Sequence, residues 1–179
     1  MKLYKISIDY SYALADIFES NNGADSLSLT SETSELLKDF QYDWITEDSK
    51  LTPDIAIIMS ELFCVDEKTF TELRPYLPNL IPNTIIIGKD TFYSLSNIPV
   101  LKDTLNLKSS KIKYFSTGDI MEVTKPVFNE RNYPNLFKTE EVTGSFFCSE
   151  DLMNAIIVDN LTGITFEECK VKSKSWFRK

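Results

Sequence analysis

The chain contains no histidine, so chemistry would fall to its carboxylates and its three thiols. That absence removes the commonest general base, the Ser–His and Cys–His nucleophile pairs, and the usual transition-metal ligand. Cys64, Cys148 and Cys169 are an odd, sparse set without a CxxC. Such a set fits neither a disulfide framework nor a structural zinc site. Cys64 and Cys148 each precede a predicted helix start, where a thiol pKa can fall. Their aromatic neighbours favour a buried, inert role instead. Glu140–Glu141 and Glu167–Glu168 are adjacent pairs, and neighbours on a strand point to opposite faces. A carboxylate dyad must converge from distant residues, with Asp119, Glu122 and Glu141 as candidates for a hydrolase. The acidic stretch from Asp43 to Asp48 is interrupted by Trp44 and Ile45, and it lacks the glycine of a calcium loop. The five glycines form no GxG or GKS/T, so no phosphate cradle is expected. We expect no cofactor, no metal and no enzymatic activity.

Charge points elsewhere. The formal net charge is −8. Residues 1–61 hold twelve acidic residues against four basic ones, which equals that whole charge. The last ten residues reverse the sign with Lys170, Lys172, Lys174, Arg178 and Lys179. An acidic chain suits neither nucleic acid nor an anionic membrane, and suits a basic protein, since opposite fields speed encounter. Within the acidic third, Asp39, Asp43, Trp44, Glu47 and Asp48 combine an aromatic with carboxylates. That is the pairing expected of an anchor inside a charged rim, and these five are the candidate partner-binding residues. Trp44 could equally seal the core.

The elements that would position these residues follow from hydropathy. The chain has 179 residues, of which 42% are hydrophobic. One domain with a real core is expected at that length. Leu3, Ile6 and Ile8 predict an opening strand. Residues 10–22 predict a short helix, and Leu36, Leu37 and Phe40 a second. Ile55–Met59 reads as a strand, and Asp66 caps a helix through Phe70 and Leu73. Ile85–Ile87 and Ile120–Val127 read as central, buried strands, the latter paired with Lys111–Phe115. Phe146–Cys148 enters a helix capped at Ser149, and Gly163 precedes a strand at Ile164–Phe166. The fold class is α+β: a mixed or antiparallel sheet with a few short helices. Strand, cysteine, acidic first turn and helix occur around both Cys64 and Cys148. This echo reads as two related strand–helix–strand units or as a coincidence of capping rules.

With no apolar run long enough for a signal peptide or a membrane span, a reducing cytoplasm is the expected compartment. The tail from 170 to 179 is expected to be flexible.

Residues 53–168 carry an ordered set of motifs. They run from Pro53–Asp54 through Cys64–Leu73, Tyr93–Asn97 and Val100–Ser109 to Val127–Asn129, Leu136–Phe137, Phe147–Glu150 and Leu161–Phe166. In that order the segment resembles a bacterial immunity-protein family of polymorphic toxin systems, the branch numbered eleven. Residues 1–50 fall outside the resemblance, as a variable N-terminal part. The resemblance implies a cytosolic protein that binds and neutralises a cognate toxin by direct contact, and it implies no catalytic residues. The alternatives are the carboxylate hydrolase above and an adaptor unrelated to toxins.

Overall fold

The structure, a computed structural model, describes residues 1–20, 40–45 and 50–172. Most of it is strand: β1 (Leu3–Ile8), β2 (Ala15–Ser20), β3 (Phe40–Trp44), β4 (Ile55–Ile58) and β5 (Leu62–Asp66) precede α1 (Glu67–Leu73). Next come β6 (Ile81–Ile87), β7 (Asp90–Ser96), β8 (Val100–Leu101), β9 (Lys111–Tyr114), β10 (Ile120–Lys125), β11 (Val127–Asn129), β12 (Leu136–Thr139) and β13 (Val142–Ser149). The chain then forms α2 (Glu150–Val158) and β14 (Ile164–Lys172). This is a sheet-rich α+β fold. No helix among the described residues is long and apolar enough to cross a membrane.

The strands form two six-stranded mixed sheets and a separate ribbon. The first sheet has the order β11-β14-β1-β13-β12-β8, and the second β2-β3-β6-β7-β5-β4. In each, a helix joins two strands that enclose a third, antiparallel one. β5–α1–β6 encloses β7, and β13–α2–β14 encloses β1. Both helices start where the sequence says, each on a side chain that accepts an otherwise orphaned backbone donor. The Asp66 carboxylate accepts Thr69 N–H at 2.7 Å, and the Ser149 hydroxyl accepts Leu152 N–H at 3.3 Å. Leu73 on α1 and Leu152, Met153 and Ile156 on α2 then enter one core with Phe63, Val65, Phe146 and Ile164. Phe63 of the second sheet meets Phe146 of the first edge-to-face at 5.4 Å. That arrangement sets the positive edge of one ring against the negative face of the other.

The second sheet curls until its edge strands β2 and β4 approach each other. Its concave face holds a core of its own, with Phe40, Tyr42, Ile58, Leu62, Cys64, Ile85, Ile87 and Phe92. The outer face of the first sheet is covered by the chain from Leu105 to Tyr133.

Several expectations are corrected. Of the helix expected over residues 10–22, residues 10–20 form no helix, and 21 and 22 lie outside the described residues. β2 occupies 15–20 instead, because Ala13, Ala15 and Ile17 alternate inward and the strand pairs against β3. Alternation of that kind is the period of a strand. Phe40 lies on β3, not on a helix, while Leu36 and Leu37 lie outside the described residues. β6 is an interior strand as expected, yet only Ile85 and Ile87 are buried and Ile86 faces out. The stretch 120–127 is not central. Among the described residues β10 pairs only with β9, and of its side chains Val123 alone is buried. Lys170 and Lys172 lie on β14 rather than in a frayed tail, and residues 173–179 lie outside the described residues.

The two sheets are clasped where the chain before β4 meets the chain before β14. The Asp54 carboxylate accepts Thr162 N–H at 2.8 Å and the Thr162 hydroxyl at 2.6 Å. Ile55 N–H donates to Thr162 C=O, and Asp9 N–H to Gly163 C=O. Gly163 has φ +102°, and a Cβ there would stand 2.0 Å from the Ile55 carbonyl oxygen. Only glycine fits such a conformation and approach. Elsewhere Lys138, buried over the Phe146 ring, pairs with Glu61 of the other sheet. Asn135 joins the end of α1, through Tyr76 C=O, to the Ser149 cap of α2.

Removing Asp54 strands a part-buried N–H and hydroxyl. Asp54→Ala should therefore lower unfolding free energy by about 2–4 kcal/mol in urea titrations. Gly163→Ala should cost at least about 3 kcal/mol, since backbone must shift to admit the methyl group.

Candidate partner-binding surface

Of the five residues singled out by sequence, Asp39, Glu47 and Asp48 lie outside the described residues. Asp43 and Trp44 stand together on β3. Trp44 is half-buried at the mouth of the curled sheet, edge-to-face with Phe92 at 5.7 Å. Its indole N–H donates to the Asp90 carboxylate at 3.0 Å. It is thus neither a free anchor nor a sealed core residue. Its body packs on the concave core while its polar edge stays at the surface, the usual division for an indole. Gly88, at φ +60°, lets the β6–β7 turn approach. A Cβ there would lie 3.0 Å from Asp43 Oδ1 and 3.1 Å from Trp44 Cδ1.

Register shows what sequence did not. β2 and β3 pair so that Asp16 sits directly opposite Asp43. Like charges facing each other across strands oppose the pairing. Each carboxylate accepts the backbone N–H of its following residue, Ile17 and Trp44, at 2.8 Å. β3 and β6 pair only at Tyr42 and Ile87, which sets Gln41 beside Ile86 and Asp43 beside Gly88. Ile86 is 51% exposed and Ile45 58% exposed. Below the single pairing the two strands part around a groove of about 380 Å³, bordered by Phe40, Gln41, Thr84 and Ile86. The surface is therefore an acidic pair with an anchored indole and two bare isoleucines. Asp16, Asp90 and Ile86 were not legible, since the helix read over 10–22 hid the register that aligns Asp16 with Asp43.

Other chemistry stays apart. Glu141 and Glu122 border one cleft under the ribbon. Glu141 is occupied: Oε1 accepts Thr104 N–H at 2.8 Å, and Oε2 the Thr104 hydroxyl at 3.1 Å. Glu122 pairs with Lys113, and Asp119 accepts the Thr117 hydroxyl in the turn joining β9 and β10. The fold does not bring the three together. Among the described residues no group of three or more Cys, Asp or Glu is placed to hold a metal. The thiols are buried, and burial disfavours the thiolate. Desolvation pushes Cys64 and Cys148 up to about 12 and Cys169 up to about 11, despite the nearby helix starts.

No protein-family model matches the chain, and a search among curated proteins finds none similar to it.

Trp44→Ala removes the contact with Phe92 and the partner of Asp90. The free protein should lose about 2–3 kcal/mol of stability, whereas Trp44→Phe should lose under half of that. The thiols set a second expectation. Unfolded cysteine ionises near about 8.5. Below that pH both states hold the proton and the thiol contribution is fully present. Above it the unfolded chain releases protons that the folded chain keeps, so stability falls as pH rises from about 9 toward 11. Urea titrations across that range should show the decline, and near neutral pH a thiol reagent should label all three cysteines only after unfolding.

Proposed function

We propose that this chain is an immunity protein that binds a cognate bacterial toxin by direct contact and neutralises it in the cytoplasm. The observation that carries the reading is the Asp16–Asp43 pair beside Trp44, Ile45 and Ile86. Two carboxylates held opposite each other cost stability in the free protein and favour a cationic partner that comes between them. Exposed isoleucines next to a braced indole offer apolar area within that acidic field. The ordered motifs over residues 53–168 support the family assignment and nothing in them asks for catalysis. The partner is a protein with a basic face, not a nucleic acid or a membrane. Asp39, Glu47 and Asp48 flank β3 in sequence and lie outside the described residues. The shared topology of β5–α1–β6 and β13–α2–β14 supports, as a further reading, a duplicated unit beneath both sheets.

The carboxylate hydrolase is less well supported, since Glu141 is committed to Thr104 and Asp119 stands at a hairpin turn. The adaptor reading shares the surface and differs only in the partner.

Two measurements test the proposal. Co-expression with the toxin-like product of the neighbouring gene should rescue the host, and failure to rescue would refute it. Asp43→Lys should slow association with that product about tenfold and flatten its salt dependence, because rim charges act mainly on the on-rate. The same substitution should leave the free protein as stable or more so, because it replaces a repulsion with an attraction across the strands. Unchanged association in the folded variant would place the interface elsewhere.

A further inference from the structure

The two sides of β14 are covered differently. On one side β1 pairs with it from Ile164 to Cys169. On the other, β11 pairs only with Lys170, Val171 and Lys172. No described strand occupies that side ahead of Lys170. Pro126, the one residue between β10 and β11, accounts for the gap. It has no N–H to give a ladder. Ahead of it the chain leaves the sheet and pairs with β9 instead. Among the described residues no strand pairs with the edge from Ile164 to Glu168, along which Thr165, Glu167 and Glu168 are exposed. An open edge is a template for another strand unless something covers or blunts it.

A cleft of about 290 Å³ lies against this edge. Lys5 of β1, Lys111 of β9, Lys125 of β10 and Lys170 of β14 all line it. None of the four lies within ion-pair distance of a carboxylate among the described residues. Glu167 and Glu168 are the carboxylates on its wall. In a chain of net charge −8, four lysines from four strands border this cleft against two glutamates, with Lys5 opposite Glu167 in register.

We propose that the open edge of β14 and this lysine-lined cleft form a second binding site, which takes an extended, carboxylate-rich segment of a partner protein as an added strand. Main-chain pairing to residues 164–168 supplies affinity in such a mode, and the lysines read alternate side chains of the incoming strand. A nucleic acid fits less well. Its unbroken row of phosphates would meet Glu167 and Glu168 and then the acidic remainder of the chain. The site is independent of the toxin reading and lies on the first sheet, whereas the Asp16–Asp43 surface lies on the second.

The probe is a fluorescein-labelled peptide of alternating glutamate and valine, with a lysine–valine peptide and a short oligothymidylate as comparisons. The expected result is saturable binding of the glutamate peptide alone, with amide shifts in nitrogen-15 spectra concentrated at residues 164–168. Lys111→Glu with Lys125→Glu should weaken it at least about tenfold, while Lys111→Arg with Lys125→Arg should retain it within about twofold. Should the glutamate variant unfold, the arginine variant and the shift map decide alone. Four results would overturn the proposal: no binding, shifts elsewhere, equal binding of the oligothymidylate, or self-association through this edge without peptide.

Discussion

Asp54 holds the two halves of the molecule in register. It stands just before β4 in the second sheet, and Thr162 stands just before β14 in the first, 108 residues later. A carboxylate that accepts both a backbone N–H and a hydroxyl from one residue fixes direction as well as distance. Gly163 is the other half of the constraint, because any side chain there would collide with the Ile55 carbonyl. Around this joint the shared core closes: Ile55 and Ile164 enter it from opposite sides, and Phe63 reaches Phe146. The helices fill what remains, each lying on its own sheet and touching the other.

What the sequence made legible follows from this division of labour. Local chemistry was readable: the Asp66 and Ser149 caps, the Gly163 break, the β-branched run of β6 and the β9–β10 pairing all appear where their residues place them. Pro53–Asp54 and Leu161–Thr162–Gly163 stood out as the outer motifs of one ordered set, and they prove to be the two faces of the clasp. Illegible were the features that depend on pairing at a distance. On and just ahead of β2, the inward residues among those described are Ala13, Ala15 and Ile17. That alternation is too weak to outweigh a helical reading without β3 beside it. β10 carries a convincing strand pattern, but pattern does not reveal that Pro126 will send it out of the sheet. The candidate partner-binding surface suffered for the same reason, since its acidic pair exists only once β2 and β3 are in register.

The result is a molecule whose rigid and accommodating parts are separated. Aromatic contacts among Phe128, Tyr133, Phe137 and Phe147 stiffen the back of the first sheet. The buried thiols there and in the other cores act as small hydrophobic residues, not reagents. The unfavourable features sit at the edge of the second sheet, where β3 and β6 barely pair and two aspartates face each other. Proteins commonly tolerate such local cost where a partner will offset it, and sites of that kind are where sequence rules give way.

Amide hydrogen exchange, measured on the free protein and on its complex with the proposed toxin partner, tests the central claim most directly. The account predicts that binding slows exchange along residues 15–18, 41–45 and 84–88, the strands that carry Asp16, Asp43, Trp44 and Ile86. Neutralised toxin with no slowing in those segments, and protection concentrated elsewhere on the chain, would contradict it.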